Sequence, residues 1–185
     1  MTAADPPGGL VRPAVPQDAR AIAAVHVATW RDAYEGLLPD DLLDALDVDQ
    51  RAEAWRGRLA ALSGALFVFV FELDAKVRGF VSGGPQRDGG VAGEVYAIYV
   101  EPGSQGRGAG RQLLQAAVDC LTAAGFAEAR LWVFADNHPA RGFYESQGWR
   151  PDGTEQPWTY RGVGEGIMDV RYKRNLRLSA DPSPP

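Results

Sequence analysis

Gln105-Gly106-Arg107-Gly108-Ala109-Gly110 joins a strand pattern to a helix pattern. Glu94-Val95-Tyr96-Ala97-Ile98-Tyr99-Val100, just before it, is β-branched and aromatic, as strands are. Just after it, between Arg111 and Ala124, Leu113, Leu114, Ala117, Val118 and Leu121 recur at helical spacing. Glycines at alternate positions let the backbone turn tightly and leave its N–H groups uncovered. The first N–H groups of a helix have no partner inside it, and the positive end of its dipole faces the same loop. Together these features predict an anion cradle suited to a phosphate or pyrophosphate, and so a phosphorylated cofactor.

Spelling excludes two familiar cradles. The dinucleotide fingerprint G-x-G-x-x-G needs glycine where Arg111 stands. The P-loop needs Gly-Lys-Ser/Thr, and the only lysines are Lys76 and Lys173. What fits is Gln-x-x-Gly-x-Gly, which resembles the acetyl-CoA loop of the GNAT superfamily of N-acetyltransferases. A second segment supports the resemblance. Leu131-Trp132-Val133-Phe134 reads as a strand, and Asn137, Ala140, Phe143, Tyr144 and Gly148-Trp149 follow in a short helix and turn. These residues resemble the N-x-x-A-x-x-F-Y-E-x-x-G-[FW] segment of the same superfamily. The resemblance runs from about residue 10 to 178, one domain, with tails expected to be disordered at 1–9 and 179–185.

Composition narrows the function class. With 45% hydrophobic and 23% charged residues the chain reads as an ordinary soluble globular domain. A net charge of −5 argues against a general nucleic-acid binder. The single cysteine, Cys120, permits no internal disulfide and fits a reducing cytoplasm. Its place among apolar helical neighbours predicts a structural thiol. Two histidines and one cysteine make no plausible zinc site, so no metal is expected. The longest apolar run, Ala65 to Phe71, is too short to span a membrane, and no signal peptide is evident at the N-terminus. Seventeen arginines against two lysines point to a GC-rich bacterial genome.

Along the chain the patterns predict a strand at Leu10–Arg12, a helix capped by Asp18, and a short helix from Asp40. They continue with a helix over 48–62, a hairpin around Asp74-Ala75, and a strand at 93–100. A helix over 107–124, a strand at 128–134, a helix over 138–147 and strands near 149–155 and 167–174 complete the order. This is an α/β domain with a mixed, mostly antiparallel sheet and flanking helices. It agrees with the fold the resemblance implies, in which two parallel central strands splay apart.

The resemblance also implies a site. Pantetheine would pair with the first splayed strand at Ile98 and Val100. The pyrophosphate would lie on the N–H groups of Gly106, Arg107, Gly108, Ala109 and Gly110, beside Gln105, with charge added by Arg107 and Arg111. Tyr144 matches the position of the general acid for the thiolate. Glu94 matches the catalytic base that some members carry, where others use water. By alternation it should share a face with Tyr96, Ile98 and Val100. A backbone N–H at Ile98 or Tyr99 would hold the oxyanion. Asn137 would contact pantetheine, cap the last helix, or do both. Trp30-Arg31-x-x-Tyr34-x-Gly36-Leu37-Leu38-Pro39 resembles a subgroup close to bacterial polyamine acetyltransferases. Acceptor contacts are therefore expected from Trp30 and Tyr34, with Trp158 and Tyr160 closing the pocket. Asp32 and Glu35 would favour a cationic amine. His26 and His138 read as structural or surface residues.

The expected activity is acetyl transfer from acetyl-CoA to a primary amine of a small molecule. The alternatives are a protein N-terminal acetyltransferase and a non-catalytic acyl-CoA sensor. The acceptor, the acyl chain length and the oligomeric state, a homodimer included, stay open.

Overall fold

The computed structural model describes residues 8–160, 162–164 and 166–176. Apart from Gly8 and Gly9, the expected tails lie outside the described residues. Seven strands form one sheet in the order β1-β2-β3-β4-β5-β7-β6. They are β1 (Leu10–Pro13), β2 (Phe67–Leu73), β3 (Lys76–Pro85), β4 (Gly93–Val100), β5 (Glu128–Phe134), β6 (Arg150–Pro157) and β7 (Met168–Asn175). Every neighbouring pair is antiparallel except β4 and β5, which run parallel. The helices are α1 (Ala19–Ala33), α2 (Asp40–Asp44), α3 (Val48–Ala60), α4 (Ala109–Ala123) and α5 (His138–Ser146).

Strand alternation sorts the core into two layers. Phe67 and Phe71 of β2 point to α4, where Leu113, Leu114, Ala117 and Leu121 are buried against Val81, Val95 and Leu131. Val68 and Val70 point the other way, onto Ile22 of α1 and Trp55 of α3. A third cluster joins Trp30 and the leucines of α2 to Phe134 at the end of β5. Leu113 and Leu121 are fully buried, so truncating either to Ala would cost about 2–5 kcal/mol.

The predicted element order holds, with three local differences. Helix α4 starts at Ala109, not at 107, because Gly108 is its N-cap residue with a left-handed φ of 86°. Asp18 is the N-cap residue of α1, but its side chain makes no capping bond to that helix. Its carboxylate accepts from the guanidinium of Arg12 and from the backbone N–H of Val15. In β4 the register slips: Ala97 pairs with Ser82 but Val95 pairs with Gly83, so Tyr96 is an extra residue in a β-bulge. Among the described residues no helix is long and apolar enough to cross a membrane.

Candidate active site

The single parallel seam of the sheet creates the site. β4 and β5 pair only at Gly93, Glu94 and Val95 against Ala129, Arg130 and Leu131. Beyond Val95 the strands part, because β3 holds β4 as far as Val100 while β7 holds β5 as far as Phe134. Two clefts open from the gap. A slot of about 510 Å³ runs to the glycine loop and α5, lined by Ile98, Tyr99, Val100, Gln105, Asn137 and Tyr144 among others. A wider cleft of about 740 Å³ is walled by Trp30, Tyr34, Trp158 and Tyr160. Tyr34, Tyr96, Ala97, Tyr99, Trp132 and Val133 line both, so the clefts meet where the strands separate.

The glycine loop closes the far end of the slot. Gly106 and Gly108 have φ of 72° and 86°, a region where a side chain costs about 1–2 kcal/mol. No acceptor among the described residues takes the N–H groups from Gly106 to Arg111. The first bond of this turn is from Gln112 N–H to the Gly108 carbonyl, at 3.1 Å. Uncovered donors at a helix N-terminus fit a pyrophosphate. Gln105 Nε2 ties the loop to β4 by donating to the Val100 carbonyl at 3.0 Å, and Thr29 Oγ1 donates to the same oxygen at 3.3 Å. Both lone pairs of Val100 are thus engaged, which leaves Ile98 as the freer of the two expected pantetheine partners.

Ala109 is buried in the core under α4, so it can offer only its backbone. One loop residue differs from expectation. Arg107 is exposed and lines neither cleft, because it sits between two left-handed glycines that turn it to solvent. Arg111, in the first turn of α4, does line the slot.

Tyr144 projects from α5 into the slot and is 8% exposed. Burial, aided by the nearby Tyr99 phenol, raises its pKa well above the ordinary value, so the hydroxyl keeps its proton. Burial raises Tyr34 and Tyr99 in the same direction, and the three phenols cluster at the junction of the clefts. Asn137 has both expected placements. Its Oδ1 accepts from Ala140 N–H at 3.2 Å as the α5 cap, and the residue lines the slot.

Glu94 is placed differently. The bulge at Tyr96 reverses the alternation, so Ile98 and Val100 share the α4 face with Val95 and not with Glu94. Glu94 is buried and lines neither cleft. Its carboxylate accepts from the Arg87 backbone at 2.9 Å and from Arg87 Nε at 2.8 Å. Asp32 and Glu35 also line neither cleft.

The wider cleft contains residues that pattern alone did not single out. Asp169, at the start of β7, is buried and paired in register with Phe134. Burial raises its pKa, while a hydrogen bond from Gln156 and the charge of Arg87 oppose the shift. Arg51 and Arg58 of α3 line the same cleft. His26 is buried among Trp30, Trp55, Phe80 and Tyr99, and burial with the charges of Arg51 and Arg58 pushes its pKa down to about 3. Arginine only donates, so the neutral His26 ring accepts from Arg51 Nη1, 3.1 Å from Nε2. An acid within an apolar strand end, and two arginines seven apart on one helix, are the only traces of these residues in the sequence.

Comparisons with known proteins bear on the family and the fold. The sequence matches the profile of the acetyltransferase (GNAT) family over residues 26–149. It is 38% identical over 139 residues to an uncharacterised N-acetyltransferase, YuaI, of Bacillus subtilis, covering 74% of this chain and 77% of that one. The fold resembles the PaiA N-acetyltransferase of Thermoplasma acidophilum in complex with coenzyme A, with a TM-score of 0.71 at 16% identity over 91% of this chain and 99% of that one. It also resembles yncA of Salmonella typhimurium with its cofactor acetyl-CoA, with a TM-score of 0.69 at 22% identity over 95% and 98% of the two chains. The chain belongs to the acetyltransferase (GNAT) family, and its class of reaction is acyl transfer.

Proposed function

We propose that this chain transfers the acetyl group of acetyl-CoA to a primary amine of a small molecule. The observation that carries this reading is the meeting of a slot that ends on the glycine-loop amides with a second, aromatic-walled cleft at the β4–β5 splay. An acyl-CoA sensor would need the slot but not the second cleft.

Acetyl-CoA, when bound, supplies a thioester acetyl. The Gly106–Gly110 amides and Arg111 hold its pyrophosphate, and β4 from Ile98 pairs with its pantetheine arm. The amine enters from the wider cleft, past Trp30, Tyr34, Trp158 and Tyr160. Its nitrogen lone pair forms the C–N bond, and the C–S bond breaks. A backbone N–H at Ile98 or Tyr99 stabilises the oxyanion between those events. The Tyr144 hydroxyl gives its proton to the departing sulfur and regains one from solvent. The proton lost by the ammonium leaves through the open cleft. Glu94, committed to Arg87, takes no direct part.

Within the family the acceptor is the open choice. A polyamine would find aromatic surface at Trp30 and Tyr34, but the acids once expected beside them lie outside the cleft. A thiol-release assay with acetyl-CoA against diamines, amino acids and peptide N-termini tests the reading. Acetylated product is expected from at least one amine class. Tight coenzyme A binding with no product from any class would favour the sensor.

A further inference from the structure

The charge lining the wider cleft is asymmetric. At one end, beside the splay, Asp169 is 7% exposed and has no ion pair among the described residues. Its charge is felt by Tyr34 and by Tyr99, the phenols at the junction with the slot, although Tyr99 also feels the opposing charge of Arg51. Arg87, the cation whose charge acts on it, is already held by Glu94.

Along α3 the lining is basic. Arg51 and Arg58 are seven residues apart, so both face the cleft from one side of the helix. The neighbouring acids of α3 are engaged elsewhere, Asp49 by Arg20 and Glu53 by Arg56. The Arg51 guanidinium lies 5.4 Å over the Trp30 ring and donates to neutral His26. The Arg58 guanidinium lies 5.1 Å over the Trp55 ring. Neither guanidinium has an acidic partner among the described residues, and the forked N–H donors of arginine suit a carboxylate or phosphate. An acceptor carrying only amines would leave these two cations facing its second positive charge.

We infer that the acceptor is an amino acid or a close derivative, with its anionic group at Arg51 and Arg58 and its amine at the Asp169 end beside the slot. This rests on the acetyltransferase reading above and names the substrate class of that same cleft. Asp169 holds the ammonium by charge and hydrogen bond and takes one proton from it, which frees the nitrogen lone pair to form the C–N bond. The adduct loses its second N–H proton to solvent as the C–S bond breaks, and Asp169 passes its own proton to solvent as the acetylated product leaves.

The test compares matched acceptors: ω-amino acids of increasing chain length, the same compounds as carboxamides, and diamines of equal length. Each is assayed by thiol release with the wild type and with Arg51→Gln, Arg58→Gln and the double variant. Coenzyme A affinity by calorimetry and far-ultraviolet circular dichroism report on folding. The wild type should prefer the carboxylate over the carboxamide by roughly 10-fold or more in kcat/KM, as a charged hydrogen-bond pair is worth. The arginine substitutions should raise KM for the carboxylate until the preference disappears. Equal or better use of carboxamides or diamines by the wild type would overturn the inference and leave the acetyltransferase reading intact. So would variants that keep the preference. No turnover of any amine, with coenzyme A still bound, would remove the acetyltransferase reading and this inference with it.

Discussion

Arg87 holds Glu94 from two directions, with its backbone N–H on one carboxylate oxygen and its guanidinium on the other. The Glu94 side chain is 3% exposed, while that of Arg87 is 58% exposed. The acid is therefore a buried anchor for the start of β4, at the point where the β5 pairing ends. Changing Glu94 to Gln removes the charge and weakens bonds to a buried acceptor, a loss of about 1–3 kcal/mol. A denaturant titration should show that loss, and the acid limb of the pH–rate profile should stay where the wild type has it. A displaced acid limb would restore Glu94 as the base.

Tyr144 is expected to separate binding from chemistry. Tyr144→Phe keeps the ring that packs in the core and loses only the hydroxyl. Coenzyme A affinity should hold while kcat falls by about 10²–10⁴-fold, the usual contribution of general acid catalysis. Turnover at the wild-type rate on the preferred acceptor would make Tyr144 a packing residue only.

His26 predicts an acid-side loss of stability. Its pKa is pushed from 6.5 to about 3 in the folded state, so the unfolded chain binds the proton first as pH falls. Its neutral form costs nothing above pH 6.5, and the penalty then grows until about pH 3. Its share of the destabilisation between neutral pH and pH 5 is about 2 kcal/mol. His26→Phe, which keeps a ring against Tyr99, should flatten the pH dependence of the melting temperature over that range. An unchanged slope would mean that His26 is protonated in the fold.

The glycine loop and the α5 cap were legible because their chemistry is local. Gly108 needs a left-handed φ, and Asn137 caps the helix three residues ahead of Ala140. The aromatics expected at the acceptor cleft, Trp30 and Tyr34 from the Trp30–Pro39 string with Trp158 and Tyr160, all line it. The β4 bulge was not legible, since one inserted residue leaves the apolar pattern intact while reversing which side chains share a face. Asp169 and the pair Arg51 and Arg58 lie more than a hundred residues apart, on elements that only the folded sheet brings together. Arg107 and Arg111 were both expected to add charge to the cradle, and the turn geometry of the loop leaves only Arg111 lining the slot.

The most direct measurement is a calorimetric titration of coenzyme A into the wild type and Gly108→Val. A valine at φ 86° is strained, and its side chain would stand on the loop whose N–H groups are to hold the pyrophosphate. Saturable one-to-one binding to the wild type is expected, with affinity for the variant weaker by roughly 10-fold or more, given that 1.4 kcal/mol is tenfold. Equal affinities in two folded proteins would contradict the placement of the cofactor on this loop, and with it the proposed site.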